Sequence, residues 1–95
     1  MSAYIIVEVS VTDPEKYEDY KKLVPPTIEA FGGKFLVRGG ETETLEGDWD
    51  PGRFVVLQFD SVERAKAWWG SEQYRAPKEL RQQASNARII VVQGA

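Results

Sequence analysis

The 95-residue chain contains no cysteine and no histidine. Without cysteine it forms no disulfide, thiolate zinc site, iron–sulfur cluster or cysteine nucleophile. Without histidine it lacks an imidazole base, a Ser-His-Asp triad and a proximal haem ligand. Any reaction would therefore be a mild one, such as an enolisation or the oxidation of a substrate that supplies its own carbanion.

An excess of basic charge and a long apolar run are also missing. The net charge is -3 and the pI is about 4.9, so we expect no nucleic-acid partner. No apolar stretch approaches membrane-spanning length, and the N-terminal MSAYIIVEVS lacks the basic region of a signal peptide. The acidic residues show no metal-loop spacing. We therefore expect a cytoplasmic protein without metal, cofactor or membrane contact.

A strand–helix–strand order occurs twice along the chain. Alternating apolar residues predict strands over residues 3–11, 34–38, 53–60 and 87–93. Helical spacing predicts a helix from Pro14 and a broken helix over residues 61–84. This order predicts one α+β domain over residues 1–95, a ferredoxin-like β-α-β-β-α-β sandwich. Its helices cover one face of an antiparallel four-stranded sheet.

Prolines and glycines predict where the helices are interrupted. Proline lacks an amide donor and clashes with the preceding turn, so Pro25 and Pro26 predict a kink or a restart in the first helix. Pro77 predicts the start of a further helical piece. Gly32 and Gly33 predict left-handed caps at the end of the first helix.

The chain has three tryptophans, and helical spacing predicts which of them is buried in the core. In the second connection, the spacing of Val62, Ala65 and Trp69 predicts the buried stripe and leaves Trp68 outside it. Trp49 and Trp68 are therefore expected to line a pocket or, more often for aromatic residues, an interface between two copies.

The predicted strands are apolar on both faces, although helices cover only one. Exposing the second face would leave an apolar patch larger than soluble monomers usually tolerate. Two sheets packed face to face would bury it, so we expect a two-fold symmetric homodimer that forms an α/β barrel. The alternative is a monomer whose open face is covered by the acidic, turn-rich segment 41–52. Within that segment, residues 42–45 could extend a strand or form an arm onto a partner.

Three runs of sequence resemble a known family. They are GGKFLVRGG (residues 32–40), LEGDWDPGRFVVLQF (45–59) and AWWGSEQY (67–74), together with Arg81. They resemble the family catalogued as domain of unknown function 1330. The resemblance covers nearly the whole chain and implies the ferredoxin-like fold of the dimeric α/β-barrel superfamily, without an established activity. It also implies these signature positions: Arg38, Gly39, Glu46, Gly47, Arg53, Ser71, Tyr74 and Arg81.

Arg38 and Arg53 have two interpretations. Each guanidinium has the geometry to bind the carboxylate or phosphate of a small acidic ligand. Each could instead form a structural ion pair, Arg38 with Glu46 and Arg53 with Asp48 or Asp50. The structural pairs are favoured because carboxylates outnumber cations in this part of the sequence.

Four further residues complete the candidate site. Arg81 follows Tyr74 by two helical turns, so both lie on one helix face if Pro77 does not break the helix. Tyr74 and Glu46 are the candidate catalytic pair for proton transfer. A buried Glu46 would be a general base because desolvation raises a carboxyl pKa, whereas an arginine partner would lower it. Ser71 is either a helix N-cap or a ligand contact.

These observations favour a homodimer that binds a small anionic molecule. The candidate ligand-binding residues are Arg38, Glu46, Arg53, Ser71, Tyr74 and Arg81. One alternative is a cofactor-free enzyme, similar to the monooxygenases or isomerases of the dimeric-barrel superfamily. Another is a purely structural dimer module, in which an arginine–acid cluster fixes the segment 41–52 across the dimer.

Overall fold

Four strands and three helices follow one another in the computed structural model, which describes residues 1–95. They are β1 (Ala3–Val11), α1 (Pro14–Ala30), β2 (Lys34–Arg38), β3 (Arg53–Phe59), α2 (Val62–Trp69), α3 (Glu72–Ala84) and β4 (Ser85–Gln93). The strands form one antiparallel sheet in the order β2-β3-β1-β4. The predicted ferredoxin-like arrangement is confirmed, with two helices in the second connection. No helix combines the length and apolar composition needed to cross a membrane.

One face of the sheet forms the core with the helices. Side chains alternate between the faces of a strand, so Ile5, Val7 and Val9 of the central strand β1 lie on the same side. All three are buried. They meet the apolar stripe of α1, in which Tyr20 and Val24 are also buried. This stripe has the helical spacing that the sequence predicts.

The opposite face of the sheet carries a continuous apolar row. Ile6 of β1 lies opposite Val56 of β3 and Ile90 of β4, and Val37 of β2 lies opposite Val56. No helix covers this row. The side chain of Ile90 is 59% exposed and that of Val92 is 41% exposed. The predicted two-faced character of the sheet is therefore confirmed within a single chain.

Segment 41–52 covers only one end of this open face. It contains no strand, so the predicted extension at residues 42–45 is wrong. The Trp49 ring packs edge-on against Phe54, and its Nε1 donates to Glu8 Oε2 at 3.3 Å. Arg88 also donates to Glu8, and this bond is the main reason that the pKa of the Glu8 carboxyl lies below its ordinary value. The rest of the segment is exposed, so the apolar row remains uncovered.

Helix α1 continues through its two prolines, so the predicted restart does not occur. Pro25 has no N–H to donate to the Lys21 carbonyl four residues earlier. That carbonyl instead accepts from Arg38 Nη2 at 2.8 Å. A side chain of β2 therefore replaces a missing helix hydrogen bond, and it ties the end of the strand to the middle of the helix.

The tryptophan assignment in α2 is wrong, because Trp68 is the buried residue and Trp69 the exposed one. Trp68 is 2% exposed and Trp69 is 44% exposed. Trp68 stacks on Tyr74 with ring centroids 4.1 Å apart, and its Nε1 donates to Thr27 Oγ1 at 3.0 Å. Trp68 and Trp69 lie three and four residues after Ala65, so both fit the helical period. The position of α3 selects Trp68, which is a core residue and, as the first of its two predicted alternatives, lines a pocket between the sheet and the helices.

Helix α3 begins earlier than its proline predicts. Ser71 caps it by accepting from the Tyr74 amide at 3.2 Å, which confirms the N-cap interpretation. Pro77 lies inside the helix and is buried. As the sixth residue of the helix it cannot donate to the Gln73 carbonyl, yet the helix continues through it to Ala84. One consequence is that Tyr74 and Arg81 lie on the same helix face, as the seven-residue spacing predicts.

Gly33 is required by close packing and not by a left-handed backbone. Of the two predicted left-handed caps, only Gly32 has a positive φ, of 73°. A Cβ atom on Gly33 would lie 2.5 Å from Phe59 Cε1 and 2.8 Å from Ile28 Cγ2. Both neighbours are core side chains, so the turn after α1 needs a residue without a side chain.

We expect Gly33→Ala to lower the free energy of unfolding by about 1–3 kcal/mol, because the methyl group overpacks the core. Gly40→Ala is the matched control, since a Cβ there meets nothing within 4 Å and its φ is not positive. Urea unfolding followed by far-UV circular dichroism measures both. Equal midpoints for the two variants would contradict the packing argument.

Candidate functional site

An enclosed cavity lies between the sheet and helices α1 and α3. Its volume is about 30 Å³, room for one water molecule or one small polar group. Most of its lining is apolar or aromatic, but it includes four cations and no carboxylate: Lys21, Arg38, Arg53 and Arg81. Only Lys21 has an acid partner, Glu18 at 2.8 Å. In a chain with a net charge of -3, this is a concentration of unpaired positive charge.

Arg81 is the most deeply buried of these cations. Its residue surface is 6% exposed, and no carboxylate lies within ion-pair distance. Its one hydrogen bond to a protein side chain runs from Nε to the Tyr74 hydroxyl at 3.3 Å. Burying most of a charged side chain with one neutral partner costs free energy, because less water solvates the charge.

Two tyrosine hydroxyls lie beside this guanidinium. The Tyr20 and Tyr74 oxygens are 2.8 Å apart, and one hydroxyl donates to the other. One hydroxyl proton is used in that bond, and the second has no protein acceptor. Burial raises the pKa of Tyr20 above its ordinary value, with the neighbouring Tyr74 adding to the effect. The two tyrosine hydroxyls and the Arg81 guanidinium therefore have more hydrogen-bond donors than the protein has acceptors for them.

Arg53 contributes a second unpaired cation to the cavity. The predicted ion pair with Asp48 or Asp50 does not form. The guanidinium instead lies over the Tyr17 ring, 5.7 Å from its centroid, and packs against the backbone of Gly39. Its Nε is buried without a hydrogen-bond partner. Segment 41–52 points away from the cavity, which is why its acids do not reach Arg53.

Arg38 lines the cavity but has a structural task. Its predicted ion pair with Glu46 is absent. The guanidinium lies over the Phe35 ring at 4.5 Å, and Nη2 donates to the Lys21 carbonyl that Pro25 leaves free. The sequence predicted either a ligand contact or an ion pair for Arg38, and not this backbone acceptor.

The structure therefore brings four of the six predicted ligand-binding residues to one cavity: Arg38, Arg53, Tyr74 and Arg81. The other two lie elsewhere, Glu46 in the exposed segment and Ser71 at the start of α3. Tyr74 and Glu46 consequently do not form a pair for proton transfer. Tyr20 also lines the cavity, although it is not among the predicted ligand-binding residues. A tyrosine hydroxyl within the otherwise apolar stripe of α1 is the sequence signal that could have identified it.

A second, open groove runs between α2, α3 and β4. Its volume is about 590 Å³, and more than half of its lining residues are apolar. Lys66 and Arg81 supply its charges, and no carboxylate lines it. The groove and the enclosed cavity share Ile5, Arg81 and Ile89, so these three side chains separate the two spaces. The acidic side chains form no cluster that could hold a metal ion.

The family profile described as domain of unknown function (DUF1330) matches residues 2–95. The chain belongs to the DUF1330 family. The resemblance is thereby confirmed. Four of the signature positions that it implies line the cavity of this DUF1330 protein: Arg38, Arg53, Tyr74 and Arg81. No curated protein sequence matches it.

Solved structures share the fold of this DUF1330 protein at low identity. A protein of unknown function from Rhodopseudomonas palustris is 20% identical with a TM-score of 0.78, over 99% of this chain and 82% of that one. A dimeric ferredoxin-like protein of unknown function from Jannaschia sp. is 6% identical with a TM-score of 0.74, over 99% and 100%. SnoaB, a cofactor-independent oxygenase from Streptomyces nogalater, is 10% identical with a TM-score of 0.67, over 99% and 93%. These likenesses establish the fold.

We expect Tyr74→Phe to lower the free energy of unfolding by about 1–3 kcal/mol, because it leaves both Tyr20 and Arg81 without their hydroxyl partner. Tyr20→Phe is the matched control. It removes the same atom type from the same cluster but leaves the bond between Arg81 and Tyr74 in place. We expect the smaller loss of unfolding free energy for Tyr20→Phe, and urea unfolding measures both variants. A larger loss for Tyr20→Phe than for Tyr74→Phe would contradict the assignment.

Proposed function

We propose that this DUF1330 protein binds a small anionic molecule, with Arg81 contacting its negatively charged group. The observation that carries the proposal is the charge of the cavity lining, four cations without a carboxylate in an acidic chain. An anion beside Arg81 would compensate a buried charge that the protein itself leaves with one neutral partner.

The donors around Arg81 fit such a ligand. Tyr74 accepts from Arg81, and one hydroxyl proton joins the Tyr20 and Tyr74 oxygens, which leaves the other hydroxyl proton of the pair for a further acceptor. Ligand oxygens accept hydrogen bonds, and burial raises the pKa of Tyr20, so its hydroxyl remains a donor. Arg53 adds a positive charge at the same cavity, with a buried Nε that has no protein acceptor. Carboxylate and phosphate groups complement this set of donors.

The geometry supports binding more than catalysis. SnoaB, which shares the fold, is a cofactor-independent oxygenase. In this chain the raised pKa of Tyr20 makes that hydroxyl a donor and not a base. Glu46, the predicted partner for proton transfer, is exposed and does not line the cavity. An enzyme built on this site would therefore need a substrate that loses its proton without help from a protein base.

We expect acetate and inorganic phosphate to raise the melting temperature of the wild type and not that of Arg81→Met. A ligand at ten times its Kd stabilises the folded state by about 1.4 kcal/mol, a shift of several degrees in a domain of this size. Arg75→Met is the matched control, because Arg75 is an exposed arginine of the same helix. Equal shifts in Arg81→Met and wild type would exclude Arg81 as the anion contact.

We also propose that the protein is a homodimer that buries the open face of its sheet. The support is the apolar row through Val37, Val56, Ile6 and Ile90, which segment 41–52 leaves uncovered. The structurally similar protein from Jannaschia sp. is dimeric. Two copies related by a two-fold axis would place this row against itself.

We expect light scattering at micromolar concentration to give the mass of a dimer for the wild type. Val92→Glu should raise the dimer dissociation constant at least tenfold, about 1.4 kcal/mol, because it places a carboxylate on the open face of each copy. Leu23→Glu is the matched control, an exposed residue of α1 away from the sheet. A wild-type monomer, or dimers of equal strength in both variants, would refute this interface.

A further inference from the structure

We propose that the ligand is an amphipathic carboxylic acid whose apolar body lies in the groove between α2, α3 and β4. The carboxylate would contact Arg81 at the inner wall of that groove. This inference rests on the anion site proposed above and names the chemical class that the site takes.

The sizes of the two spaces are the first reason. The enclosed cavity of about 30 Å³ has room for one polar group, so it cannot hold the rest of an organic molecule. The groove of about 590 Å³ lies within the range of small-molecule sites. Because Arg81 lines both spaces, a ligand whose head group contacts Arg81 has space for its body on the groove side only.

The chemistry of the groove lining is the second reason. Ile5, Ile89 and Val91 are part of its apolar lining. An apolar surface of this kind favours hydrocarbon, whereas the two charges, on Lys66 and Arg81, favour an anion. No carboxylate lines the groove to repel that anion or to neutralise either cation. An apolar chain with one acidic end matches both properties.

Trp69 is the third reason. It lines the groove and is 44% exposed, an unusual position for the largest apolar side chain. The Lys78 ammonium lies 3.8 Å from the centre of its ring and donates to the Trp69 carbonyl at 2.9 Å. The indole is therefore held in place by a cation–π contact and offers a ready-made apolar wall to a ligand.

The test is isothermal titration of the wild-type protein with acetate, butyrate, hexanoate and octanoate, and with neutral hexanamide. We expect binding to tighten by roughly three- to fourfold for each added methylene until the groove is filled. Hexanamide should bind at least tenfold more weakly than hexanoate. Arg81→Met should abolish the difference between hexanoate and hexanamide.

Three variants locate the apolar body. Val91→Glu adds a carboxylate to the groove and should weaken octanoate binding at least tenfold while changing acetate binding little. Val91→Thr keeps the shape and should weaken octanoate only a few-fold. Leu23→Glu adds the same charge on α1, outside the groove, and should leave the titrations unchanged.

The outcomes separate this inference from the anion site. Equal affinities across the series, still dependent on Arg81, would keep the anion site and overturn the apolar body. Absence of any carboxylate binding would overturn both. Hexanoate and hexanamide binding equally well to the wild type would overturn the contact with Arg81. If Val91→Glu left octanoate binding intact and weakened the dimer, the groove would be an interface between two copies and the inference would be wrong.

Discussion

The Tyr74 side chain is the contact on which the packing of the three helices depends. Its ring lies against Trp68 of α2, and its hydroxyl meets Tyr20 of α1 and Arg81 of its own helix. The residue is almost completely buried. Because one side chain satisfies partners from three helices, the positions of Trp68 and Arg81 are fixed together. This arrangement holds a guanidinium at the end of the cavity that α1 and α3 enclose.

The three arginines of the family signature do different things at the same cavity. Arg38 replaces the hydrogen bond that Pro25 cannot make, so part of its donor capacity is already used. Arg53 packs between Tyr17 and Gly39 and keeps a buried donor without an acceptor. Arg81 is the deepest and has one neutral partner. Arg81 also lines both the cavity and the groove, which is the physical reason for placing the anionic group there, whereas the bond to the Lys21 carbonyl gives Arg38 a mainly structural part.

The two faces of the sheet have separate uses. The face beneath the helices forms the core and the cation-lined cavity, whereas the other face carries an apolar row and a polar end where Glu8, Arg88 and Trp49 meet. The proposed dimer contact therefore lies on one face, and the proposed ligand site lies beneath the helices on the other. The groove beside β4 lies where the two regions meet, so its occupant has to be identified with variants that separate assembly from binding.

The sequence by itself determined the strands, the two crossover connections and the two-faced sheet, because alternation and helical spacing are local properties. It also picked out Arg38, Arg53, Tyr74 and Arg81, through a family resemblance and a two-turn spacing. It did not identify Trp68 as the buried tryptophan and predicted Trp69 instead, since both fit the period of α2 and only the packing of α3 selects Trp68. Nor did it show that Glu46 stays away from the cavity, or that Arg38 binds a carbonyl. Those contacts join residues far apart in the chain, so only the tertiary structure, which brings α1, α3 and the sheet together, decided them.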